Sequence, residues 1–203
     1  MINAVVVGLA AGLLFAAAIF VARIYNVLLA SFEETRNSFA QIEVQLKRRY
    51  DLIPSLVEAA RAYLTHERET LEAVIAARQQ ASSKLSGLQN NLTDAGAVKS
   101  WAASEGALGS AMGRLSMVIE SYPELKANES IAQLTEELTS TENRISYARQ
   151  LYNDLATRFN IRRQTFPTVA FSSLVGFSEN VELLQFDDQV EIQRVPKFEL
   201  VGA

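Results

Sequence analysis

Residues 28–64 read LLASFEETRNSFAQIEVQLKRRYDLIPSLVEAARAYL, and the fold turns on how this stretch is spaced. Leu28, Phe32, Thr35, Phe39, Ile42, Leu46, Arg49, Ile53, Leu56, Ala60 and Tyr63 step by four and three. That is a heptad seam, the pattern of a long bundle or coiled-coil helix. Pro54 lies inside it. A proline removes one helical N–H and crowds the carbonyl four residues back, here that of Tyr50. The register passes through unbroken, which predicts a kink in one continuous helix of about 60 Å from Arg23 to Leu64 rather than a helix end.

A second seam runs through Ile131, Leu134, Leu138, Thr141, Ile145, Ala148, Tyr152, Leu155 and Phe159. Each seam must bury its stripe and can do so against the other. Between them, Thr65 with Glu67 and Glu69 reads as a cap and acidic first turn for a helix from Glu67 to about Leu85. The stretch Ser86 to Gly96 reads as a loop, and Asp94 or Thr93 can cap a third helix from about Ala97 to Glu120. Tyr122 and Pro123 punctuate the chain, Asn128 caps the fourth helix, and Pro167 ends that helix near Thr165 by disfavouring helical angles at Phe166. Residues 166–203 differ in kind, with five of the ten Phe and an alternating, strand-like Val190 to Val195. This tail either packs on the side of the helices or docks as an apolar arm on a neighbour.

Residues Ala4 to Ala22 carry no charge, and at about 1.5 Å per residue they match a hydrocarbon core of about 30 Å. No basic n-region precedes them, and Phe15, Ile19, Phe20 and Val21 make a poor cleavage site, so the stretch reads as an uncleaved anchor rather than a signal peptide. A buried core helix is the alternative, but no second all-round apolar helix is present to pack against it. Arg23 and Arg36 follow the span and no basic residue precedes it, which favours a cytoplasmic soluble part at a plasma membrane. Within the span, Ala4, Gly8, Gly12 and Ala16 recur every four residues, a stripe that permits close packing of anchors in a homo-oligomer. The fold class expected is therefore all-α: an N-terminal transmembrane helix, a long antiparallel bundle of three to four helices, and a short irregular or strand-like tail. The corresponding domains are residues 1–23, 24–165 and 166–203.

Composition agrees. Aromatics are 8% of the chain and Gly and Pro number 9 and 4, which disfavours a turn-rich sandwich. Lys+Arg at 19 against Asp+Glu at 23 gives a net charge of −4, without the basic excess of a nucleic-acid binder. The absence of Cys rules out disulfides, thiolate metal sites and a cysteine nucleophile. His66 is the only imidazole. Position 63 is Tyr, which breaks the Glu-x-x-His pattern of di-iron bundles, and position 70 is Thr, which breaks the zincin motif. His66 therefore reads as a capping or interhelical hydrogen-bonding residue. Gly106, Gly109 and Gly113 fit no phosphate-loop spacing and follow no strand, so they read as a surface for close helix packing. Of the basic run Lys47-Arg48-Arg49, Arg49 faces the seam and needs a carboxylate from a facing helix, with Asp51 or Glu142 as candidates, to set register. No catalytic residue, cofactor or metal site is expected.

The run Gln45-Leu46-Lys47-Arg48-Arg49-Tyr50-Asp51-Leu52-Ile53-Pro54 is followed in order by Tyr63 with His66-Glu67, Ala77-Arg78, Tyr122-Pro123-Glu124-Leu125-Lys126-Ala127-Asn128, Glu142-Asn143-Arg144-Ile145, Ala148-Arg149, Tyr152-Asn153, Phe166-Pro167 and Gly176-Phe177. These motifs closely resemble the LemA family over roughly Tyr25 to Phe177. The resemblance implies an anchor with a short exterior N-terminus and a long antiparallel helical domain, and it supplies no reaction. Ser55 stands where that family usually has Asn, and Phe159 where Tyr is usual. The chain also continues to Ala203, further than the resemblance reaches, so it assigns the tail no role. Two functions follow as expectations: a self-assembling membrane scaffold with the lipid bilayer and further copies as its partners, or an adaptor presenting its helices to another membrane protein such as a protease or signalling kinase. An enzyme is not expected.

Overall fold

Between Gly12 and Pro54 the sequence holds neither glycine nor proline, and nothing interrupts the first helix there. In the computed structural model, which describes residues 2–64, 66–88 and 91–185, α1 runs from Ile2 to Arg61. The apolar N-terminal stretch and the first seam are thus one element. The helix closes three residues before the expected Leu64, where the N–H groups of Tyr63 and Leu64 both reach the carbonyl of Ala60. Tyr63 leaves the seam as a result, and Leu64 is buried instead.

Helix α2 spans Arg68–Ser86. Glu67 occupies its N-cap position without a side-chain hydrogen bond, and the expected cap, Thr65, lies outside the described residues. Helix α3 spans Ala95–Ser121 and is capped by Asp94, whose Oδ1 accepts from the backbone N–H of Gly96 at 2.8 Å and of Ala97 at 3.0 Å. A one-turn helix, α4 (Pro123–Lys126), follows where only punctuation was expected. Pro123 starts it because a first-turn proline sacrifices no helical hydrogen bond. Asn128 then accepts from the N–H of Ile131 at 3.2 Å and begins α5, Glu129–Gln164, which stops ahead of Pro167. A 3₁₀ turn at Thr168–Ala170 completes the described elements, which are all helical and include no strand. The strand-like residues 190–195 lie outside the described residues.

The chain forms two compact units. The first comprises the described residues of Met1–Ile42 and Ser146–Leu183, the second those of Glu43–Ile145 and Leu184–Ala203. In the first unit Phe32 meets Phe159 with ring centroids 5.5 Å apart, and Phe39 meets Tyr152 at 5.8 Å. Seven residues forward on α1 are seven back on α5, so the two segments run in opposite directions there. Thr35 lies on this seam fully buried, its hydroxyl satisfied by the carbonyl of Ser31 at 3.0 Å.

In the second unit Leu46, Ile53, Leu56 and Ala60 of α1, Leu71, Val74, Ala81 and Leu85 of α2, and Val98, Trp101, Leu108 and Leu115 of α3 are buried. Pro54 is accommodated without ending the helix. The Tyr50 carbonyl, deprived of its helical donor, accepts from Arg78 Nε of α2 at 2.9 Å.

Candidate functional site

The densest polar grouping in the buried interior belongs to the second unit and is built on the seam arginine. Arg49 donates through Nη1 to Glu142 Oε2 of α5 at 2.7 Å and through Nη2 to Glu105 Oε2 of α3. The other oxygen of Glu105 accepts from the Tyr50 hydroxyl. Glu142 is thus one of the two carboxylates anticipated for Arg49. Asp51, the other, is exposed and lies 3.9 Å from Arg78 instead, because it points away from the seam. The buried partner, Glu105, was not anticipated. Its spacing offers a signal, since it follows Trp101 by four and precedes Leu108 by three, both of them buried.

Solvent access separates the two carboxylates. The Glu105 side chain is 4% exposed and that of Glu142 52%, against 11% for Arg49. Burial raises the Tyr50 phenol above its ordinary pKa, against the opposing pull of the Arg49 guanidinium, so the hydroxyl keeps the proton it donates. Both Glu105 oxygens are engaged by side chains of the chain itself. Around this centre, Arg48 pairs with Glu137 of α5 at 3.5 Å and Lys47 with Glu43 at 2.6 Å. Gln45 Oε1 and Arg49 Nε are buried without a hydrogen-bond partner among the described residues. The arrangement joins three helices through charge.

Gly106, Gly109 and Gly113 of α3 are exposed, and a Cβ added at any of them meets nothing within 4 Å. These positions are therefore open among the described residues. The reason is angular: at about 100° per residue they are turned roughly 80–180° away from Trp101, Leu108 and Leu115. His66 is exposed in the connection between α1 and α2. Among the described residues, no three His, Asp or Glu side chains group as a metal site requires.

At the other end of α1, residues 3–20 are all exposed, including Ala4, Gly8, Gly12 and Ala16. Nothing lies within 4 Å of a Cβ added at Gly8 or Gly12. This is the one helix among the described residues long and apolar enough to cross a membrane. In the same unit the chain after α5 folds back onto it. Asn160 exchanges two hydrogen bonds with the backbone of Val181, at 2.8 and 2.9 Å, and Tyr152 donates to the carbonyl of Glu182 at 2.9 Å. Burial pushes the Tyr152 phenol far above its ordinary range. Phe159, at the position where Tyr is usual, packs on both Phe32 and Phe177.

A sequence model of the LemA family matches residues 38–199. That match takes in most of the stretch beyond Phe177, which the motif resemblance had left out. Magnetosome protein MamQ of Magnetospirillum gryphiswaldense is 26% identical over 168 residues, covering 75% of this chain and 62% of the relative. Magnetosome protein MamQ 2 of Paramagnetospirillum magneticum is 28% identical over the same shares. Protein LemA of Metamycoplasma hominis is 29% identical over 170 residues, 84% of this chain and 71% of the relative. The chain spans about three-fifths of the length of the magnetosome relatives it matches.

Proposed function

The chain belongs to the LemA family, and we propose that it is a single-pass, membrane-anchored helical protein of the bacterial membrane that assembles with its own copies as a structural scaffold, without enzymatic activity. The observation that carries this reading is the start of α1, where residues 3–20 find no cover among the described residues. Val5, Val6, Val7, Leu9, Leu13, Leu14, Phe15, Ile19, Phe20 and Val21 lie in the span. At −0.3 to −0.6 kcal/mol each near a bilayer centre, they favour insertion by roughly 3–6 kcal/mol in sum. The same side chains in water would have no compensating contact.

The pairing of α1 with α5 in opposite directions, described above for the first unit, supports a long antiparallel bundle. In the second unit the pairs Arg49–Glu142 and Tyr63–Asn128 support it independently. Arg23 and Arg36 after the span support a cytoplasmic position for the helices. Assembly rests on two stripes exposed among the described residues, Ala4, Gly8, Gly12 and Ala16 on α1 and Gly106, Gly109 and Gly113 on α3.

Sizing the purified full chain in mild detergent tests this reading. A large, homogeneous species is expected, loosened by Gly8→Leu with Gly12→Leu while circular dichroism is unchanged. A monomer that instead captures one dominant membrane protein would contradict self-assembly and make the chain an adaptor.

A further inference from the structure

Phe166 and Leu174 are the most exposed large hydrophobic side chains among the described residues, at 82% and 79%, ahead of every residue of the anchor. They sit on the loop that follows α5. From Phe166 to Ser178 the sequence FPTVAFSSLVGFS has no charged residue, which is unusual for a surface loop of a soluble domain.

The loop is held in one place. Phe171 meets Phe20 edge-on with centroids 5.9 Å apart, and Phe177 packs on Tyr25, Phe32 and Phe159 at 6.2, 5.8 and 5.9 Å. Gly176 takes a φ of +93°, which an L side chain rarely adopts, and lets the Phe177 N–H reach back to the Ser172 carbonyl at 2.8 Å. Phe20 fixes the depth. It lies inside the apolar span, three residues or about 4.5 Å of helix rise before Arg23, the first charge. Phe171 beside it is therefore at the boundary between hydrocarbon and headgroups, and Leu174 is three residues, at most about 10 Å, further on. Arg23 follows the span on α1 and Arg162 precedes the loop, both exposed cations suited to lipid phosphates, while the exposed Glu179 follows the loop on its other side.

We propose that residues 166–177 form a second membrane contact, in which Phe166, Val169 and Leu174 enter the interfacial layer of the bilayer beside the anchor and fix the tilt of their own unit against the membrane. This rests on the anchor reading above. The occupant is lipid because the patch is continuous, through Phe20 and Phe171, with the apolar surface of the span.

The chain contains no cysteine, so single labels are unambiguous. Full-length Leu174→Cys, Phe166→Cys, Ala10→Cys and Gln80→Cys, each carrying an environment-sensitive fluorophore, are reconstituted in phosphatidylcholine and phosphatidylglycerol vesicles containing nitroxide lipids, shallow or deep. The expected result is that the labels at 174 and 166 lose most of their emission to the shallow nitroxide and the label at 10 to the deep one, with the label at 80 unchanged. If the label at 10 is quenched while those at 174 and 166 behave like that at 80, the loop proposal is overturned and the anchor stands. An unquenched label at 10 overturns both. Disulfide formation between copies at 174 without quenching would assign the loop to a second copy instead of lipid, and also overturns the proposal.

Discussion

Replacing Glu105 with Ala leaves the Arg49 guanidinium 11% exposed, with only the half-exposed Glu142 to face it. It also leaves the buried Tyr50 hydroxyl without its acceptor. Removing one partner of a buried ion pair costs about 3–5 kcal/mol, because the remaining charge stays desolvated. For a protein of this size about 1 kcal/mol corresponds to roughly 2–4 °C in Tm, so the expected loss is about 6–20 °C. Glu142→Ala removes a carboxylate that water already screens, and its expected effect is within about 1 kcal/mol. Arg49→Met with Glu105→Leu removes both charges together and should recover most of the loss. Thermal melts of the four proteins by circular dichroism in one detergent decide the matter. The reasoning is refuted if Glu105→Ala melts within about 3 °C of Glu142→Ala, or if the double variant is less stable than Glu105→Ala.

Arg78→Met should destabilise by about 1–2 kcal/mol by leaving the Tyr50 carbonyl without a donor, and chemical denaturation should show a smaller loss in a Pro54→Ala background, where a backbone N–H is restored. The raised phenols of Tyr50 and Tyr152 contribute stability that is complete below about pH 10, the ordinary tyrosine value, and is lost as pH rises toward their folded-state values. Tm should therefore fall above pH 10, and less steeply in Tyr50→Phe with Tyr152→Phe. Gly106→Ala, Gly109→Ala and Gly113→Ala should each stabilise the chain by about 1 kcal/mol, since the added methyl meets nothing within 4 Å. A loss of oligomer mass in the triple variant would place α3 in the assembly contact.

The long helices were legible because a period of seven repeated over several turns has no competing interpretation. Pro54 shows where legibility stops. The sequence identified Tyr50 as the carbonyl that loses its donor, but the donor that replaces it, Arg78, is 28 residues away and is brought there only by packing. Helix α4 was missed because four residues show no periodicity, so Pro123 read as a break when it is a first-turn residue. The α3 glycines were read as a close-packing surface because three within eight residues are costly in a helix without a compensating contact. Reading their angular position against Trp101 and Leu108 would have placed them on the open face, and the same exercise would have found Glu105 on the buried one. Asn128 and Asp94 were readable as caps because the interaction that defines a cap lies within three residues.

The central claim is that α1 crosses a bilayer between residues 4 and 22. Asn3 and Asn26 are exposed on either side of that stretch, and the chain has no cysteine of its own. Asn3→Cys and Asn26→Cys can each be exposed to a membrane-impermeant maleimide in intact cells and again after lysis. The account predicts that residue 3 is labelled in intact cells and residue 26 only after lysis. Labelling of both residues from the same side of the membrane would contradict it.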